Sequence, residues 1–200
     1  MIFIRKTVSL TLITVRMISK FIFHKVLGWK LVGDFPRDLK KYVVIGAPHT
    51  SWKDFPIAIL ARNTYDVKIN FIGKASLFKP PFGFIFRALG GSPVDRSKST
   101  NKVEAIVNLF NQHDEFRLAL SPEGTRAKIT EWKTGFYYIA KGANVPVVMF
   151  AFDFENKQII VAPPYYLTDN MNKDMNHIYD FYRDIKGAKP ELFYVPPKQK

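Results

Sequence analysis

The sequence predicts an α/β fold, with a central mixed β-sheet flanked by helices and an amphipathic helical segment ahead of it. Short runs of β-branched and aromatic residues alternate along the chain with segments whose apolar residues recur at helical spacing, the pattern of a sheet covered by helices. Two hundred residues, 47% of them hydrophobic, suffice for a single core, and the length favours one catalytic-sized domain. No internal repeat or low-complexity tract breaks the alternation.

The first element is a basic amphipathic helix near residues 8 to 27. Before Asp34 there are six cations, Arg5, Lys6, Arg16, Lys20, Lys25 and Lys30, and no acid. Arg16, Lys20 and His24 follow at steps of four, so one helix face is basic and the remainder apolar. The longest run free of charge, Thr7 to Val15, is nine residues. A spanning helix needs about 20, so the segment is read as lying in a membrane interface rather than crossing the bilayer. A cleaved signal peptide is the rival reading; Arg16 and Lys20 interrupt the apolar stretch early and no Ala-x-Ala site follows.

Gly28 to Gly33 then leads to a strand at Tyr42 to Ala47 and a helix from Phe55 to Arg62. A strand at Val67 to Ile72 precedes the Pro80-Pro81 break and a short helix at Gly83 to Leu89. Residues 100 to 112 place Val103, Ile106, Val107 and Phe110 at helical spacing, and Phe116 to Leu120 reads as a buried strand. Gly135 to Lys141 is expected to be helical, Val145 to Phe152 and Gln158 to Val161 to be strands, and Asn172 to Ile185 to form the last helix. Pro190, Pro196 and Pro197 predict a loose or surface-bound tail. The chain is accordingly divided into a membrane-association segment (1–33), a main domain (34–189) and a tail (190–200).

The residues that carry chemistry cluster where strands end. His49 and Asp54 flank the turn between the Val43-Val44-Ile45 run and the helix that opens at Asp-Phe-Pro. Five residues apart, they would point about 140° from each other on a straight helix, so they meet only if the chain bends between them, as a strand, turn and helix start would make it do. A carboxylate on one imidazole nitrogen fixes the tautomer and stabilises the cation, the arrangement of a general base and its orienter. Asp54 also suits a helix cap, because Ser51-x-x-Asp54 resembles a capping box. Both readings stand at this point.

Ser121-Pro122-Glu123-Gly124-Thr125-Arg126 follows the second buried strand. In open α/β sheets ligands bind beyond the carboxyl ends of the strands, so this segment and His49 can share one crevice. The plainer alternative is a polar turn in which Gly124 supplies the backbone angles and Glu123 pairs with Arg126 at the surface. Between the two motifs lie Lys74, Leu77, Pro80-Pro81 and Gly83, then Gly90 followed by Asp95-Arg96.

Taken in order, His-x4-Asp, the Lys74 to Gly83 segment, Gly-x4-Asp-Arg, Pro-Glu-Gly-Thr-Arg and Val145-Pro146-Val147 resemble the glycerophospholipid acyltransferase family over roughly residues 41 to 152. Three positions depart from the family pattern: Pro93-Val94 ahead of Asp95, Ala127 after the Glu-Gly-Thr-Arg, and Ser76 where an acid is common. None of these removes a residue expected to do chemistry.

The resemblance implies transfer of a fatty acyl chain from an acyl thioester to the free hydroxyl of a lysophospholipid. The leading acceptor is 1-acylglycerol 3-phosphate, which would give phosphatidic acid; glycerol 3-phosphate, a lyso-aminolipid or a remodelling lysophospholipid are the alternatives. It implies His49 as general base with Asp54 as its orienter. Lys74, Arg96 and Arg126 are expected to hold the acceptor phosphate, and Glu123, Gly124 and Thr125 to shape that site, with Glu123 positioning Arg126 or the acceptor glycerol. Acyl-CoA or acyl carrier protein is the expected donor, no cofactor or metal is expected, and the expected location is peripheral or monotopic on the cytoplasmic face of a membrane. A non-enzymatic membrane-surface protein that kept the fold is the remaining reading.

Composition narrows the field independently. The chain has no cysteine, which excludes disulfides, thiolate metal sites and a cysteine acyl-enzyme. Gly-x-Ser-x-Gly, Gly-x4-Gly-Lys-Ser/Thr and His-Glu-x-x-His are all absent, against a serine hydrolase, a nucleotide triphosphatase and a zinc protease. A net charge of +13 raises nucleic acid as a partner, but no helix-turn-helix, zinc finger or RNA-binding signature accompanies it. Each Lys or Arg near an anionic lipid surface contributes about 1 kcal/mol, so the N-terminal cations favour a membrane instead.

Overall fold

A computed structural model describes residues 13–94 and 102–197. Seven strands form one mixed sheet: β1 (Lys30–Val32), β2 (Lys41–Ala47), β3 (Asn70–Lys74), β4 (Gly91–Val94), β5 (Phe116–Leu120), β6 (Val147–Asp153) and β7 (Gln158–Val161). Their order is β1-β7-β6-β2-β5-β3-β4. The five strands from β6 to β4 run parallel, whereas β7 lies antiparallel to β6 and carries β1 parallel to itself.

The central strand shows why the sheet is covered on both faces. Successive side chains of a strand point to opposite sides. Val43, Ile45 and Ala47 of β2 enter one core with Leu118, Val147, Met149 and Phe136, and Tyr42 and Val44 enter a second core with Phe23, Phe35, Phe150 and Phe152. An apolar run with no polar alternation is the signature of such a strand. Helices α4 (Lys102–Gln112), α5 (Gly135–Gly142) and α6 (Met171–Tyr182) supply the first core, through residues such as Ile106, Ile139 and Ile178. Helix α2 (Asp54–Thr64) supplies the second through Ile57 and Ala61, and α3 (Gly83–Ala88) stands near the β4 edge.

Two strands escaped the sequence pattern. β1 has three residues and begins with Lys30, too short to show a period. β4 reads Gly-Ser-Pro-Val, and its Pro93 is tolerated because β4 is the last strand of the sheet, where a missing N–H leaves no ladder broken.

Among the described residues the N-terminal helix, α1, occupies residues 13–21 and widens into a π-helical turn at Ile22–Val26. Its charge arrangement differs from the expected one. Arg16 pairs with Asp66 at 3.4 Å, and His24 Nδ1 lies 2.9 Å from the Trp29 carbonyl, so two of the three residues on the basic face turn toward the protein. Ile13, Met17, Ile18, Phe21 and Val26 are left exposed. Among the described residues no helix is long and apolar enough to cross a membrane.

The chain beyond residue 189, expected to be loose or surface-bound, lies against the domain as far as Val195. Phe193, Tyr194 and Val195 lie against the first core, the Trp132 indole N–H donates to the Tyr194 carbonyl at 2.7 Å, and Arg183 donates to the Pro196 carbonyl at 2.8 Å. The three prolines shape this path without releasing it.

Candidate active site

Because β2 and β5 are parallel and paired, with Ile45 beside Leu120, the turns that follow them emerge side by side. One carries His49 and the other Glu123. This is the carboxyl end of the parallel strands, the usual place for a site in an open sheet.

The turn after β2 brings His49 and Asp54 together as the bend requires. His49 Nδ1 lies 3.0 Å from Asp54 Oδ2; the Asp54 side chain is 1% exposed and that of His49 25%. The same Asp54 oxygen accepts the Ser51 N–H at 2.9 Å, while Ser51 Oγ accepts the Lys53 N–H at 3.2 Å. The Asp54 N–H meets the Ser51 carbonyl at 3.4 Å rather than the Ser51 hydroxyl, so only one half of a capping box forms, and Lys53, at the N-cap position of α2, has no side-chain cap. Asp54 therefore ties the turn through Ser51 N–H and meets the imidazole with the same oxygen. An imidazole fixed through Nδ1 keeps Nε2 as the nitrogen that can take a proton.

An apolar cavity of about 200 Å³ opens beside the pair. Val44, Ala58, Ile59, Phe71, Phe150 and Phe152 line it, together with His49 and Asp54. It follows α2 from Asp54 to Arg62, eight residue steps or about 12 Å of helix. The lining is thus an imidazole and its carboxylate beside a largely hydrocarbon surface.

The family model described as Acyltransferase matches residues 31–153, more than half of the chain and the whole of this site. The chain belongs to the acyltransferase family. A crystal structure of the 1-acyl-sn-glycerophosphate (LPA) acyltransferase PlsC from Thermotoga maritima shares its fold, with a TM-score of 0.59 at 20% identity over 85% of this chain and 76% of that one. No curated protein sequence matches the chain.

In this acyltransferase Glu123 has a neighbour other than Arg126, which one reading of the sequence pairs with it. Its Oε2 accepts the backbone N–H of His49 at 2.5 Å, and the residue is buried. Burial pushes its carboxyl up to about 7; the His49 N–H opposes that rise and the nearby Asp54 charge adds to it. Arg126 is exposed in the loop beyond and, among the described residues, makes no ion pair with Glu123. The expected pairing of the two is thus replaced by a tie between the β2 and β5 turns.

The other expected site residues are spread around the rim. Lys74 is the exposed last residue of β3, and Thr125 is exposed with its hydroxyl accepting the Ala127 N–H at 3.2 Å. Neither is hydrogen-bonded to His49, Asp54 or Glu123. Gly124 has a φ of +65°, and a Cβ there would stand 2.9 Å from Lys133 Cδ. Arg96 lies outside the described residues. Among them, no group of three or more His, Cys, Asp or Glu side chains could hold a metal ion.

Two contributors were missed in the sequence. Lys133 lays its side chain over Gly124, and it follows Trp132 with no motif to mark it. The second is the segment after α6. Lys189 N donates to Thr50 Oγ1 at 3.1 Å, and a Cβ on Gly187 would stand 2.7 Å from Pro48 Cβ, so this segment is pressed against the His49 turn. A contact across 139 residues has no local signal. The amides of His49, Ser51, Lys53 and Asp54 are all engaged in hydrogen bonds within the protein, so none of them is open to a developing oxyanion.

Proposed function

We propose that this acyltransferase moves a fatty acyl chain from an acyl thioester to the free hydroxyl of a lysophospholipid, with 1-acylglycerol 3-phosphate as acceptor and phosphatidic acid as product. The observation that carries the reading is the contact of His49 with buried Asp54 at the mouth of an apolar cavity. His49 Nε2 takes the proton of the acceptor hydroxyl as its oxygen attacks the thioester carbonyl. Asp54 holds Nδ1–H and balances the imidazolium. Collapse of the tetrahedral intermediate breaks the C–S bond, and the thiolate leaves with the proton returned from Nε2. No enzyme nucleophile is needed, which agrees with a chain that lacks cysteine.

Hydrocarbon fits the cavity, and the phosphate of the acceptor belongs at the rim. Arg126, Lys74 and Lys133 are its proposed contacts there, with Arg96 from the Asp95-Arg96 motif as a fourth. A guanidinium fork matches phosphate oxygens bidentately and stays charged, whereas lysines act as point charges. Glu123 acts as a positioning residue, fixing the backbone that carries His49. Residues 1–33 hold the protein in the interface, where the acceptor resides, and residues from 34 onward form the catalytic domain. The exposed cations suit a donor carried on either coenzyme A or acidic acyl carrier protein.

The test is thiol release by the purified full chain with each donor, against lysophosphatidic acid, glycerol 3-phosphate, a lyso-aminolipid and lysophosphatidylcholine. The enzyme contributes no thiol of its own, so the signal comes from the donor alone. Release is expected to be fastest with lysophosphatidic acid. Vesicle binding without thioester consumption under any pairing would instead mark a non-enzymatic membrane protein.

A further inference from the structure

The segment from Lys74 through α3 is built with two aromatic sides. Phe78 is buried, Arg87 donates to its carbonyl at 2.9 Å, and the guanidinium stands 5.5 Å from its ring centre. Phe86 lies 6.0 Å from Phe78 and 5.8 Å from Phe55, fastening the segment to the first turn of α2. The other side is exposed among the described residues. Leu77, Phe82, Phe84 and Ile85 are 44%, 64%, 70% and 42% exposed, within nine residues. Phe84 is anchored on a helix whose inner face is already satisfied, so its exposure is not a failure to find the core.

Charge indicates what this face meets. Between Val67 and Val94 the chain carries four cations and no acid, and Lys74 and Lys79 are exposed beside the apolar residues. Large apolar side chains ringed by lysine, without a carboxylate, match the headgroup region of an anionic bilayer. Position agrees. The segment leaves the carboxyl end of β3, the end of the sheet that carries His49, and Phe55 joins it to the residue next to Asp54. The far end of α3, at Ala88 to Gly90, lines a separate groove with Val15 and Arg16 of α1.

We infer that Leu77, Phe82, Phe84 and Ile85, flanked by Lys74 and Lys79, form a second membrane-docking surface, separate from the N-terminal segment, that seats the His49 end of the sheet on an anionic bilayer. The inference rests on the lipid-acylation reading for the choice of partner. It adds that the body of the domain itself holds the membrane.

The experiment uses the full chain and vesicles of phosphatidylcholine with and without one quarter phosphatidylglycerol. Replacing Phe82, Phe84 and Ile85 together by Ser should lower affinity for the anionic vesicles by ~10-fold or more, because binding scales with buried apolar area, with little change in melting temperature. The absence of native cysteine allows a second, independent reading: an environment-sensitive dye on Phe84→Cys should shift to the blue on adding anionic vesicles, while the same dye on Tyr166→Cys, exposed near the opposite end of the sheet, should not. Unchanged affinity in the triple variant, equal shifts at both dye positions, or a loss of self-association without loss of vesicle binding would overturn the inference. Thiol release with a monomeric short-chain lysolipid separates this from the catalytic reading: a triple variant that keeps that rate has lost docking alone, and an inactive wild-type chain that still binds vesicles through α3 leaves docking standing and the chemistry refuted.

Discussion

The backbone N–H of His49 donates to Glu123 Oε2 at 2.5 Å, so the turns after β2 and β5 are joined through a buried carboxyl rather than through the His49 imidazole. Because burial raises that carboxyl to about 7 from an ordinary 4.5, the folded protein holds its proton more tightly than the unfolded chain does. The associated stability is fully present below about pH 4.5, declines as pH rises from 4.5 to 7, and is lost above the folded value. At about 1.4 kcal/mol per unit the decline attributable to this group is about 3 kcal/mol. Glu123→Gln keeps an oxygen for the His49 N–H and cannot titrate. Urea unfolding from pH 4 to 8 should show the difference between wild type and variant changing across that window; a difference independent of pH would remove Glu123 as its source.

Asp54 serves Ser51 N and His49 Nδ1 with the same oxygen, and its other oxygen is buried with no hydrogen-bond partner among the described residues. Asn can turn its carbonyl to both donors but must bury its amide where that second oxygen lies, at about 1–3 kcal/mol. Asp54→Asn should therefore lose some stability and, through loss of the charge behind the imidazolium, lose ~10²-fold or more in kcat. Asp54→Ala should lose the tie to the Ser51 N–H as well. Thermal melts beside turnover distinguish them: a fully active Asn variant would make Asp54 a structural tie alone.

Gly187 is pressed against the His49 turn, where a Cβ would meet Pro48 Cβ at 2.7 Å and Thr50 Oγ1 at 2.9 Å. Gly187→Ala should cost about 1–3 kcal/mol by overpacking. It should also lower kcat more than it raises KM, because the displaced group is the turn that carries the base. A variant with the stability loss but wild-type kcat would show that this segment only packs.

Much of this was legible beforehand, and what was not has a physical cause. β2, β5, β6 and β7 were visible as apolar or β-branched runs, and α2 to α6 as periodic segments, because each buries one face or both. β1 and β4 were hidden because three or four residues at the sheet margins need little hydrophobicity to pair. The His49 and Asp54 contact followed from spacing and a bend. The partner of Glu123 did not, since Arg126 is three residues away along the chain and His49 is 74. Sequence proximity favoured the nearer group; the parallel pairing of β2 with β5 favoured the farther one.

Arg126 makes no ion pair among the described residues and is exposed at the rim, free to meet an anion. Arg126→Ala should weaken use of lysophosphatidic acid by about 10- to 100-fold in kcat/KM, the size of a lost charged hydrogen bond. Arg126→Lys should restore only part of it. Donor KM should be little changed. Equal losses with a phosphate-free lysolipid would move the phosphate site elsewhere.

The central claim is that His49 moves the proton of the acceptor hydroxyl, and the rate of His49→Ala measures it most directly. With the protein folded by thermal melt and still bound to phosphatidylglycerol vesicles, thiol release from the acyl thioester in the presence of lysophosphatidic acid should fall by ~10²- to 10⁴-fold, the range of general-base catalysis. Turnover at the wild-type rate in that variant would contradict the account.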